Sequence, residues 1–166
     1  MTLENIILVV GGTLTSLLAG LFYAFNVAVV PGLRHLKGTQ HIAAMQSINE
    51  KIKNPVFFLS FFGPSILLPL AAYLHRAEAS FPLLVTASLL HIIGANGVTI
   101  VGNIPLNERF AKIDASQLSD AEADQVRQEF QGPGTPWMRF HAARTLASVA
   151  ATALIFIVCL SKSSAQ

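Results

Sequence analysis

Long apolar stretches alternate with shorter polar ones along the 166-residue chain. A helix that crosses a hydrocarbon core of about 30 Å needs roughly 20 residues. Four apolar stretches reach that length, at about 5–30, 55–75, 81–103 and 140–160. The pattern predicts an all-α integral membrane four-helix bundle, formed as a single domain over residues 1–166.

The two long connections between these spans have helical patterns of their own. In the first connection, Ile42, Met45, Ile48 and Ile52 recur at three-to-four spacing, which predicts a short amphipathic helix at the membrane interface. In the second, Ser119 precedes Glu122 by three residues, as in a capping box, which predicts a charged helix. Both loops are therefore expected to be partly helical.

Basic residues lie mainly in these two connections. With four spans, both termini share one side with the loop "HRAEAS", which together hold only Arg76 and Lys162. The positive-inside rule then places the long loops in the cytoplasm and both termini outside, in an inner (plasma) membrane. The long loops carry Arg34, Lys37, Lys51, Lys53, Arg109, Lys112, Arg127 and Arg139.

Composition supports the membrane assignment and excludes nucleic acid as a partner. The chain is 52% hydrophobic and 12% charged, and its net charge of +2 is spread along the sequence. The lipid bilayer is thus the expected environment. A stripe of small residues on the first span favours close helix packing, within the bundle or in a homo-oligomer or larger membrane complex. The stripe comprises Gly12, Ser16, Gly20, Ala24 and Ala28.

Polar residues from four segments are expected at one membrane depth. Asn103 and Asn107 end the third span, where His141 and Arg144 begin the fourth. A histidine that exchanges protons, an arginine that holds an oxyanion and several amides have the chemistry of a ligand pocket. Residues of the first span and loop at the same level are Arg34, Gln46 and Asn49.

Structural roles remain open for the same residues. Trp137, Arg139 and Arg144 could form an aromatic and snorkelling anchor at the interface. Asn103 and Asn107 flank Pro105, which is expected to end the helix, and could cap the freed backbone groups. For His91, a hydrogen bond to a neighbouring helix is favoured over metal or haem ligation, so no metal is assigned.

Four segments in this order resemble the anthrone oxygenase-like family of small four-helix membrane proteins: "GLFYAFNVAVVPGLRHL", "AAMQSINEKIKNP", "GVTIVGNIPLNERF" and "WMRFHAARTLAS". The resemblance implies oxygenation of a flat, hydrophobic, anthrone-like phenolic substrate with molecular oxygen, without a classical flavin or haem cofactor. It further implies that His141 is the general base and that Arg144, Asn103 and Asn107 stabilise an enolate-like oxygen. Trp137 would stack on the substrate.

Two other functions remain as alternatives. The chain could be a non-catalytic subunit that packs against a larger respiratory or transport complex through the small-residue stripe. It could instead bind haem or a metal through His91.

Overall fold

The computed structural model describes residues 2–163, with side chains through residue 161, so the side chain of Lys162 used in the charge count lies outside it. Within the described residues the chain is helical and contains no strand. A single turn of 3₁₀-helix, Ala115–Gln117, lies in the second long connection. The six helices are α1 (Leu3–Leu33), α2 (Gly38–Lys51), α3 (Pro55–Leu74), α4 (Phe81–Phe110), α5 (Asp120–Gln131) and α6 (Pro136–Ser163).

Helices α1, α3, α4 and α6 are long and apolar enough to cross a membrane, which confirms the predicted four-helix membrane fold. Large apolar side chains cover their outer surface; Val56, Val101 and Leu146 are 75%, 74% and 71% exposed. In water such a surface would drive association, whereas lipid tails solvate it directly. The bundle is therefore in contact with the bilayer.

The interior divides along the bundle axis. At one end, Leu68, Leu84 and Ile155 belong to an apolar core cluster. At the other end, α2 and α5 pack beneath the spans as a layer, which we call the loop layer, and bury Ile42 and Met45 against Phe110. The predicted amphipathic helix is thus α2, and these two apolar residues face protein.

Helix α4 continues through Pro105, so the expectation that this proline ends the helix is wrong. Two π-helical stretches precede it, Leu90–Gly97 and Thr99–Asn103. The amide of Ile104 donates to the carbonyl of Thr99, five residues earlier. This wider turn allows α4 to continue through Pro105, which has no backbone N–H group to donate.

The small-residue stripe serves packing inside the bundle at one of its positions. A Cβ placed on Gly12 would lie 2.9 Å from Ile155 Cγ2 of α6, so the two helices approach closely there. A Cβ on Gly20 would meet no atom within 4 Å. The stripe therefore contacts α6 at Gly12 and leaves Gly20 open.

Candidate functional site

A cavity of about 830 Å³ lies where α1, α3, α4 and α6 meet the loop layer. Helix α1 contains a π-helical turn, Phe25–Val29, at this level, and the π-helical stretch Thr99–Asn103 of α4 also reaches it. Such turns often occur at functional sites. The walls contain a group of aromatic residues, Phe22, Phe25, Phe57, Phe58, Phe61, Phe62 and Trp137, beside aliphatic and polar side chains.

Arg144 is the charged residue that α6 contributes to the cavity wall. Its side chain is 8% exposed, and its Nη1 donates to Thr99 Oγ1 at 3.2 Å. The guanidinium carbon lies 4.2 Å from the centre of the Phe22 ring. Among the described residues, no carboxylate forms an ion pair with it. Arg144 is therefore a buried cation without an ion-pair partner among the described residues, and the other charged residues that line the cavity are Glu50, Lys53 and Glu108.

His141 lies behind Arg144 and not in the cavity wall. Arg144 Nε donates to its Nδ1 at 3.0 Å, and because a guanidinium only donates, the neutral ring must carry its proton on Nε2. Its Nε2 is buried and has no hydrogen-bond partner within residues 2–163. His141 is thus, in this arrangement, a hydrogen-bond acceptor that orients the arginine.

Trp137 is held between α4 and His141. Its indole Nε1 donates to Asn107 Oδ1 at 2.7 Å, and its backbone carbonyl accepts from Asn103 Nδ2 at 3.1 Å. The indole stacks on the His141 ring, with ring centres 4.9 Å apart and planes 25° apart. The two asparagines therefore fix the start of α6. Asn107 and Trp137 reach the cavity, whereas Asn103 lies behind them.

The remaining predicted residues divide between the cavity and the loop layer. Gln46 and Asn49 line the cavity; Gln46 Nε2 donates to the carbonyls of Phe110 and Ile113 at 3.0 and 2.9 Å. Asn49 Nδ2 is buried without a hydrogen-bond partner among the described residues. Arg34 lies outside the wall, where its Nε donates to the Gln131 carbonyl at 3.0 Å.

His91 forms the expected hydrogen bond to a neighbouring helix. Its Nε2 lies 3.0 Å from the Phe61 carbonyl of α3, which also accepts from Asn96 Nδ2 at 2.8 Å. Neither His91 nor Asn96 lines the cavity. This second polar cluster therefore connects α3 and α4.

His41, in the loop layer, has a pKa that its surroundings lower. Burial lowers the pKa of His41, and the nearby cations Arg127 and Arg34 lower it further, against a hydrogen bond with the Leu33 carbonyl that raises it. The buried ring is accordingly neutral near pH 7.

Thr99 and Phe22 were not singled out as ligands of Arg144 by sequence reasoning. Thr99 shares a face of α4 with Asn96 and Asn103, which was a usable signal. The position of Phe22 under the guanidinium depends on how α1 packs against α6. No spacing pattern around Phe22 in the sequence indicates that contact.

These observations define a class: membrane-spanning four-helix proteins with a buried arginine in the wall of an aromatic cavity. The chain belongs to the anthrone oxygenase family, whose model matches residues 57–154. That range holds Arg144, His141, Trp137, Asn103 and Asn107. No curated protein and no solved structure matches the chain.

Proposed function

We propose that this protein is a membrane oxygenase that converts a flat, hydrophobic, anthrone-like phenolic substrate with molecular oxygen. The family supports oxygenase chemistry. The observation that carries the substrate class is Arg144, a buried cation without a carboxylate partner among the described residues, in the wall of an aromatic cavity. Such a site favours a planar molecule with one oxygen that becomes negatively charged.

The reaction oxidises a methylene group between two aromatic rings. Loss of one proton gives a carbanion whose charge is shared with the ketone oxygen, and the Arg144 guanidinium stabilises that oxygen. The carbanion then reacts with dioxygen. One oxygen atom becomes the new carbonyl and the other leaves as water, so the carbon loses four electrons and dioxygen gains four.

His141 is proposed as the base that accepts the methylene proton. In the present arrangement its Nδ1 is occupied by Arg144 Nε. When the guanidinium turns to the substrate oxygen, Nδ1 becomes free and the anionic substrate offsets the charge of the resulting imidazolium. Because the ring lies outside the cavity wall in the present arrangement, the role of His141 requires that Arg144 first move away from Nδ1 and let the substrate approach it.

The other polar groups orient the substrate in this proposal. Trp137 supplies a flat surface in the wall, and Asn103 and Asn107 hold it in place. The amides of Gln46 and Asn49 lie on the side formed by the loop layer. Phe58, Phe62 and Ile100 line the cavity and are also exposed on the outer surface, so a hydrophobic substrate would enter from the bilayer.

The test is oxygen consumption by the detergent-purified protein with anthrone, measured above the protein-free rate, together with anthraquinone formation. Arg144→Gln is compared with Arg139→Gln, which removes an exposed arginine from the same helix. Loss of one oxyanion donor costs about 10²–10³ in turnover, so Arg144→Gln should lose at least about 100-fold and Arg139→Gln should retain full turnover. No uptake by the wild type would overturn the proposal and favour the non-catalytic subunit.

A further inference from the structure

Three potential metal ligands meet at the end of the bundle opposite the cavity. Glu4 lies in the first turn of α1, His75 directly follows α3, and Glu78 lies in the turn that leads to α4. One ligand atom from each side chain lies within 4.8 Å of the other two.

His75 provides a second and independent sign of a ligand. The residue is fully buried, and its Nδ1 lies 2.7 Å from the Ala71 carbonyl. A carbonyl only accepts, so Nδ1 carries the proton and Nε2 has a lone pair. Nε2 is buried and has no hydrogen-bond partner among the described residues. A metal-bound histidine typically donates its other N–H to a backbone carbonyl in this way.

We propose that Glu4, His75 and Glu78 bind one divalent transition-metal ion, with Zn²⁺ the best match. An imidazole nitrogen and two carboxylate oxygens form a mixed donor set that suits Zn²⁺, whereas Mg²⁺ and Ca²⁺ prefer oxygen ligands alone. The two carboxylates balance the charge of the ion. Glu78 is exposed, so water can reach the remaining coordination position.

The side chains can reach the required geometry. Zn–N and Zn–O bonds of roughly 2.0–2.2 Å place ligand atoms on the order of 3–4 Å apart. Glu4 is half-buried and Glu78 exposed, so both carboxylates can move toward the fixed His75 ring. Ser80 Oγ donates to Glu78 Oε2 at 3.1 Å and already orients that carboxylate. The ion would connect the first turn of α1 to the turn between α3 and α4.

This metal site is separate from the proposed oxygenase site. On α1 the first residue that lines the cavity is Leu21, which follows Glu4 by 17 positions, or about 25 Å along the helix axis. Its role would be to stabilise the bundle end, so its test does not use oxygenase activity.

The experiment measures Zn²⁺ binding to the full-length protein by calorimetry in detergent, after removal of any affinity tag and treatment with a chelator. Glu4→Gln and His75→Gln are compared with His35→Gln, which changes an exposed histidine in the connection that precedes α2. Glu4→Gln keeps the size of a half-buried side chain, so it tests the site even if His75→Gln fails to fold. Thermal unfolding with and without Zn²⁺ provides a second readout.

We expect one Zn²⁺ per chain, a binding constant weakened at least 10-fold by Glu4→Gln and by His75→Gln, and no change in His35→Gln. Zn²⁺ should raise the unfolding temperature of the wild type and not that of Glu4→Gln. Absence of binding by the wild type, or equal binding by wild type and Glu4→Gln, would overturn the proposal.

Discussion

Two histidines, His91 on α4 and His141 on α6, are equally buried in this bundle, but their partners differ. His91 shares a backbone carbonyl with Asn96, and both side chains form these hydrogen bonds away from the cavity. His141 accepts a hydrogen bond from Arg144, whose charge borders the cavity. Burial alone therefore does not distinguish a residue that connects helices from a residue that acts on a ligand. The distinction depends on the hydrogen-bond partner of the residue and on whether that partner borders the cavity.

The sharpest test of this comparison is to make the same change in both histidines. Glutamine can keep one hydrogen bond at either position but cannot accept the substrate proton. A general base contributes about 10²–10⁴ to the rate, so His141→Gln should lower anthrone turnover at least about 100-fold. His91→Gln should change turnover less than about 3-fold. Equal losses in oxygen uptake would remove the distinction between the two clusters.

Thr99 supports the guanidinium, and its removal should have a smaller effect. Thr99→Val keeps the shape of the side chain and deletes the acceptor of Arg144 Nη1. We expect about a 10-fold loss of turnover, because one hydrogen bond that orients the arginine is worth roughly 1–1.5 kcal/mol. The matched control is Thr152→Val on α6, whose hydroxyl bonds to the Ser148 carbonyl; turnover should be unchanged there.

Replacing the buried charge should not destabilise the protein. A charge at membrane depth costs about 2.5–3.5 kcal/mol on insertion scales, and glutamine avoids that cost while it keeps a donor for His141. Arg144→Gln should therefore unfold at the same temperature as the wild type or a higher one, in detergent. A markedly lower unfolding temperature of Arg144→Gln would mean that Arg144 stabilises the fold and is not retained for a ligand.

The smallest expected effect concerns pH and the loop layer. The pKa of His41 is lowered in the folded state from its ordinary value of 6.5, so its contribution to stability is present above pH 6.5 and is lost as the pH falls through the lower folded value. Unfolding temperature should therefore decrease below pH 6.5, and less so in His41→Asn, which keeps a donor for the Leu33 carbonyl. If the unfolding temperatures of the wild type and His41→Asn depended on pH in the same way, this role for His41 would be excluded.

The length and spacing of apolar residues were sufficient to predict the four spans, because a bilayer requires long apolar helices. The continuation of α4 past Pro105 was missed, since the preceding π-helical turn depends on packing and not on a local signal. The two hydrogen bonds that hold Trp137 were also not predictable from the sequence. Asn103 and Asn107 were expected at the right depth, but their bonds to the indole and its backbone depend on how α4 and α6 meet.

The central claim is that Arg144 binds the negatively charged oxygen of a flat ligand in the cavity. The most direct measurement compares the binding of 9-anthracenecarboxylate and 9-anthracenemethanol to the wild type and to Arg144→Gln, using ligand fluorescence. The two ligands have the same ring system and differ in charge. We predict that the wild type prefers the carboxylate at least 10-fold and that Arg144→Gln loses this preference. Equal affinity of the wild type for both ligands would contradict the claim.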